Sequence, residues 1–152
     1  MKRFAIYFIL AIAFVSCNKN KFKTQPQVQI TSFSPSQVYL GQIFKLKASV
    51  TDKEGDATDS VLLVEKLYNI STNFVLNTDT LRFTVADFGV PNNDQYEFEA
   101  DFDYGQIVDG TILASSDQTS VDRNFTVGII IRDKAGNKSD YVESDKIVLQ
   151  KL

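Results

Sequence analysis

The chain has 152 residues, 43% of them hydrophobic, and 19 acidic against 16 basic side chains for a net charge of −3. That is long enough for one domain with its own core, and it lacks the concentrated basic face that phosphate binding requires. No histidine and no tryptophan occur, which removes the commonest general base, every histidine-dependent triad and most transition-metal sites; the single cysteine, Cys17, excludes an internal disulfide.

Lys2 and Arg3 open the chain, an unbroken apolar run occupies residues 4–15, and small residues lead to Cys17. This is the layout of a secretory signal. Twelve apolar residues fall short of the roughly 20 that a helix needs to cross the hydrocarbon core, so residues 1–16 are predicted to be a cleaved leader. Phe14-Val15-Ser16-Cys17 resembles a bacterial lipobox, with Phe14 standing where that pattern has Leu, Val or Ile. The resemblance implies that Cys17 carries a diacylglycerol on sulfur, that the peptide before it is removed, and that the new amino terminus is acylated too. At about 0.8 kcal/mol per buried methylene, two or more acyl chains hold a protein on a membrane where one does not. Loss of Lys2 and Arg3 with the leader makes the remainder two charges more acidic. Residues 17–27, polar and carrying Lys19, Lys21 and Lys23, read as a lipidated flexible tether.

From Val28 to the end at residue 152 the pattern is that of strands. Val28, Ile30 and Phe33 form a first strand ending at Ser34-Pro35-Ser36, where proline suits an edge or a break. Val38 to Leu40 and Gly41 lead into Ile43–Thr51, in which Phe44, Leu46, Ala48 and Val50 alternate with Lys45, Lys47, Ser49 and Thr51, a half-buried strand by its period of two. A turn-rich stretch, 52–59, precedes an apolar run over 60–68. Residues 69–73 turn the chain, and 74–76 and 80–85 read as shorter strands. Residues 86–94, with Gly89, Pro91 and two asparagines, form a loop. Tyr96, Phe98, Ala100 and Phe102 then alternate with Glu97, Glu99, Asp101 and Asp103, which predicts one packed face and one face of four carboxylates in water. A short strand over 107–113 and a polar loop over 114–121 follow. Residues 124–132 are the most hydrophobic strand, apolar even at Ile130 on its second face, which predicts a central position. Residues 133–138 turn, and 141–149 close the chain as one strand.

Strand signals separated by turns, with no helical period after residue 16, predict an all-β fold: a single immunoglobulin-like antiparallel β-sandwich over 28–152. The turns Val50-Thr51-Asp52 through Gly55-Asp56 and Ile131-Arg132-Asp133-Lys134-Ala135-Gly136-Asn137 are similar to those of bacterial immunoglobulin-like or fibronectin-like domains. Together with the lipobox, the chain resembles small Ig-like lipoproteins of the Bacteroidetes. The resemblance implies the fold class and no activity.

Three groups of residues bear chemistry. If Ile43–Thr51 is strand B and 124–132 is strand F, the loops after them share one end of the sandwich, and Asp52, Glu54 and Asp56 face Asp133 and Asn137. Five hard oxygen donors suit Ca²⁺, which takes six to eight oxygens at about 2.3–2.6 Å; the same residue types also serve tight turns. The ladder Glu97, Glu99, Asp101, Asp103 places neighbours about 6.6 Å apart, too far to share a proton and within the range of glycosidase pairs; Lys45 and Lys47 are positioned to pair with it across strands. Tyr39, Tyr68, Tyr104 and Tyr141 either bind a ligand or cap the core. Asp59-Ser60-Val61 and Asp79-Thr80-Leu81 are similar to the acceptor pattern for envelope-protein O-glycosylation in that bacterial group, which implies sugars on Ser60 and Thr80.

The expected function is a non-catalytic, lipid-anchored binding or scaffolding module of the cell envelope. The alternative is a glycan-binding accessory lipoprotein of a nutrient-uptake system, and a third reading is an enzyme working with carboxylates alone. The expected partners are the membrane, through the N-terminal lipid, and an envelope protein or glycan, with no nucleic acid; no cofactor is expected beyond Ca²⁺. Asn18-Lys19-Asn20-Lys21 has no acidic cluster of the kind associated with surface export in that group, which favours an outer-membrane position facing the periplasm.

Overall fold

Alternation of apolar and polar side chains along nine- and ten-residue segments gives each strand one dry face, and two such faces closed on one another make the domain. The computed structural model describes residues 24–90, 93–105, 108–114 and 121–151. The leader, Cys17 and residues 18–23 of the tether lie outside them. Among the described residues no helix is long and apolar enough to cross a membrane.

Among the described residues ten strands follow in order: β1 (Gln27–Ser34), β2 (Gln37–Tyr39), β3 (Ile43–Thr51), β4 (Ser60–Asn69), β5 (Val75–Phe83), β6 (Gln95–Asp103), β7 (Ile112–Leu113), β8 (Arg123–Arg132), β9 (Val142–Glu143) and β10 (Ile147–Gln150). One sheet has the order β1-β3-β6-β7, the other β2-β10-β8-β4-β5, with β9 on β8. The fold is thus the expected all-β sandwich, with β8 central as its apolar pattern requires. Two pairings depart from the antiparallel expectation. The chain leaves β1 through the cis Ser34–Pro35 peptide and continues in the opposite sheet, where β2 lies parallel to β10; β7 likewise runs parallel to β6.

The core is filled from both sheets. Phe44, Leu46, Ala48 and Val50 of β3 are fully buried, as are Val61, Leu63 and Leu67 of β4 and Phe125, Val127, Ile129 and Ile131 of β8. At one end Phe33, Phe44, Phe102 and Phe125 form a cluster with ring centroids 5.3–6.4 Å apart. Burying each such side chain contributes about 1.5–3 kcal/mol, and the stacked and edge-on contacts add to it. Glu65, at a core-facing position of β4, is buried as well.

The final strand is not continuous. It reaches β8 twice, at β9 and β10, and between and before these contacts two serines complete the ladder. Ser139 Oγ accepts from Ile131 N–H at 2.9 Å and Ser144 Oγ from Val127 N–H at 3.0 Å. Each hydroxyl in turn donates to the carbonyl of the following aspartate, Asp140 or Asp145. The main-chain donors of a buried central strand are thereby satisfied while the chain bends away, and the bend carries Tyr141 and Glu143 onto the outer face of the sheet. The loop expected over 86–94 begins with one 3-10 turn, Val85–Phe88, whose Asp87 carboxylate accepts from Thr84 N–H at 2.6 Å.

Candidate metal centre

Strands β3 and β8 belong to opposite sheets and run out at the same end of the sandwich, so the turns that follow them meet. Main-chain hydrogen bonds fasten one to the other: Lys134 N–H donates to Asp56 O and Asp59 N–H to Arg132 O, both at 3.2 Å. Asp52 N–H donates to Asp94 O at 2.8 Å, just before β6. Gly55 and Gly136 sit at φ 68° and 95°, a left-handed backbone that favours residues without a Cβ.

Of the five residues the sequence assigns to this end, three come together. Asp52, Asp56 and Asp133 each offer a carboxylate oxygen, all within 4.8 Å of one another. Asp52 and Asp133 are buried and Asp56 is half-buried. Asp52 Oδ2 accepts from Asp56 N–H at 3.0 Å, while Asp52 Oδ1 and Asp56 Oδ1 are buried without a hydrogen bond. Asn137 supports the cluster indirectly, donating through its main chain and its side-chain amide to the two oxygens of Asp133, both at 2.7 Å. Glu54 is exposed and stands outside the three. Burial pushes the Asp52 carboxyl up; the Asp56 N–H bond opposes this, and the Asp56 and Glu54 carboxylates add to it.

A second polar cluster, on the outer face of the β4–β8 sheet, went unread in the sequence. Glu143 accepts four hydrogen bonds: from Lys66 Nζ and Tyr141 OH on Oε2, at 2.7 and 3.0 Å, and from Tyr68 OH and Thr126 Oγ1 on Oε1, at 2.7 and 2.6 Å. Burial alone raises this carboxyl, and the four donors, Lys66 foremost, more than reverse it, bringing it down to about 2. Lys66 is held above its ordinary value by Glu143 and Tyr141. Its ammonium lies 4.8 Å from the centroid of the Tyr141 ring, and that of Lys146 lies 4.6 Å from that of Tyr68. Tyr141 crosses β8 at Gly128, where any Cβ would overlap its ring. That glycine, alone inside an otherwise apolar strand, is the one signal in the sequence that something approaches the backbone there. With its acceptor positions filled, Glu143 is a structural tie.

The carboxylate ladder is engaged across strands as its register predicts, since β3 and β6 pair Lys45 with Asp101 and Lys47 with Glu99. Lys45 pairs with Glu99 and, at 3.3 Å, with Asp101; Lys47 reaches Glu99 at 2.8 Å. Lys45 and then Lys47 bring the Glu99 carboxyl to about 2. Asp103 departs from the expectation of four solvated acids: β7 pairs alongside Phe102 and Asp103, and Asp103 is buried. A groove of about 390 Å³ runs beside the ladder, lined by Phe83, Phe88, Glu99, Asp101 and Ile112 among others. Tyr68 and Tyr104 are buried whereas Tyr39 and Tyr141 are exposed. Ser60 is buried and its hydroxyl bonds to Asp59 at 3.3 Å; Thr80 is exposed. Cys17 lies outside the described residues.

No protein-family model and no curated protein matches the chain. Among solved structures it is similar to the sporulation control protein Spo0M from Bacillus subtilis, at 12% identity and a TM-score of 0.45 over 84% of this chain and 50% of that one. It is also similar to the alkylpurine DNA glycosylase AlkC of Pseudomonas fluorescens bound to DNA containing an abasic site analog, at 11% and 0.44, over 84% and 31%. A third similar structure is a conjugative transposon lipoprotein from Bacteroides eggerthii, at 11% and 0.36, over 82% and 98%. The chain thus spans half of Spo0M and under a third of the glycosylase. No activity, substrate or partner is carried over from these likenesses.

Proposed function

We propose that this protein is a non-catalytic binding or scaffolding module of a bacterial cell envelope, held by lipid on Cys17 at the periplasmic face of the outer membrane. The observation that carries the reading is the place of Cys17, the sole cysteine of the chain, one serine beyond a positive start and a twelve-residue apolar run. The domain's own chemistry agrees with a binding role. Its two carboxyls held near 2, Glu99 and Glu143, are occupied by lysines and hydroxyls that belong to the fold, whereas catalytic acids and bases work near the operating pH. Histidine is absent throughout.

Two measurements on the full chain in its native host test this. A clickable fatty acid fed to cells labels the wild-type protein; Cys17→Ala abolishes the label and moves the protein from the membrane to the soluble fraction. Purification from detergent-solubilised envelopes then yields a partner in fixed proportion with wild type and not with Cys17→Ala. An unlabelled wild-type protein that fractionates as soluble removes the anchor, and with it the reading.

A further inference from the structure

We propose that Asp52, Asp56 and Asp133 bind one Ca²⁺ ion, which ties the loop after β3 to the loop after β8. The three carboxylates come from two loops in opposite sheets, and their oxygens lie within 4.8 Å of one another. One ion holding oxygens at about 2.3–2.6 Å spans that separation, whereas Mg²⁺, at about 2.0–2.1 Å, draws its ligands closer and keeps more of its water.

A second observation, separate from the clustering, points to a ligand. Asp52 is 0% exposed, yet its Oδ1 has no hydrogen-bond partner, and Asp56 Oδ1 beside it is buried and unpartnered too. A buried carboxylate oxygen without a donor is costly to keep, and two from neighbouring acids compound the cost by like-charge repulsion. Among the described residues the ion pairs of Lys45, Lys47, Lys66, Arg82 and Arg132 all go to other acids, so none of these cations compensates the three. A hard dication does. The donors are all carboxylate oxygens, the set that Ca²⁺ prefers over softer metals. The backbone is already placed for it: Lys134 N–H to Asp56 O joins the loops, and Asn137 holds both oxygens of Asp133. Binding therefore orders little new chain.

The inference is independent of membrane attachment and is tested on the full chain purified in detergent and stripped of metal. Calorimetry with CaCl2 is expected to show one site, in the range of about 10⁻⁴–10⁻³ M typical of extracellular modules. Tm rises by about 2–6 °C in 2 mM CaCl2 over chelator. Terbium gives a local readout. The chain has no tryptophan, and Tyr96, whose hydroxyl donates to Ala57 O at 2.5 Å, stands beside the loop to sensitise Tb³⁺ emission that Ca²⁺ then quenches by displacement. Asp56→Asn, at the half-buried ligand, weakens Ca²⁺ roughly tenfold or more with an unchanged circular dichroism spectrum, while Glu54→Gln leaves affinity as it was. Wild type without calcium heat or Tm shift overturns the proposal, whatever the variants do; so does full binding by Asp56→Asn, or a loss in Glu54→Gln equal to that in Asp56→Asn.

Discussion

Replacing Glu143 by glutamine keeps the size of the side chain and removes the charge that four donors converge on. In the folded protein this carboxyl titrates at about 2 against an ordinary 4.5. Each unit of difference corresponds to about 1.4 kcal/mol, which gives about 3 kcal/mol. The side chain is 28% exposed, so solvent screening trims this to about 2–3 kcal/mol at neutral pH. Because the folded value lies below the unfolded one, the contribution is complete above about pH 5 and is lost as pH falls from 4.5 toward 2. Glu143→Gln is therefore expected to be less stable than wild type by about 2–3 kcal/mol at pH 7, with the gap narrowing to about 1 kcal/mol at pH 3. Urea unfolding followed by far-ultraviolet circular dichroism measures this. With a slope of about 1–3 kcal/mol/M, the midpoint drops by about 0.7–3 M at pH 7. A penalty that is the same at pH 7 and pH 3, or one below about 0.5 kcal/mol at pH 7, would sink the argument that the charge of Glu143 is what ties β9 to the sheet.

Other substitutions test the surroundings. Gly128→Ala places a methyl where the Tyr141 ring lies; it is expected to cost about 1–3 kcal/mol, and the cost should shrink when Tyr141→Ala is combined with it, as a double-mutant cycle shows. Ser144→Ala removes the acceptor of Val127 N–H in a buried strand, for about 1–3 kcal/mol, and amide exchange at Val127 should quicken more than at Ile129. Phe44→Ala opens the aromatic cluster between the sheets and should cost about 3–5 kcal/mol, a large share of a typical domain's stability, read as a fall in Tm. Lys47→Ala, by contrast, breaks an exposed pair with Glu99 and should leave Tm within about one degree of wild type, since such pairs are screened by water.

Much of this architecture is determined by local pattern. Alternation along β3 and β6 assigns each residue to the core or to solvent without reference to any other strand, because successive side chains of an extended chain point to opposite faces. The same alternation makes the pairing of Lys45 and Lys47 with the acids of β6 legible. The meeting of Asp52 and Asp56 with Asp133 was also legible, because the order of strands in a sandwich decides which loops share an end. The apolar run before Cys17 is read from the sequence alone.

What only the tertiary structure decided concerns which neighbour a residue meets. Asp103 follows the alternation of β6 and is buried all the same, because β7 comes alongside it. Glu54 and Asn137 have the right chemistry for the loop cluster, yet a turn directs one to solvent and the other onto Asp133. Ser60 sits in an exposed-looking tripeptide and is buried at the start of β4. The last strand reads as continuous from 141 to 149 and is broken, since Ser139 and Ser144 satisfy β8 with hydroxyls and free the chain to bend. Glu143 acquires its four donors from two strands, β4 and β8, and from the bend, a convergence of residues up to 77 positions apart. A period of two specifies a face; the partner on that face is set by register, bulge and crossing between strands distant in the chain.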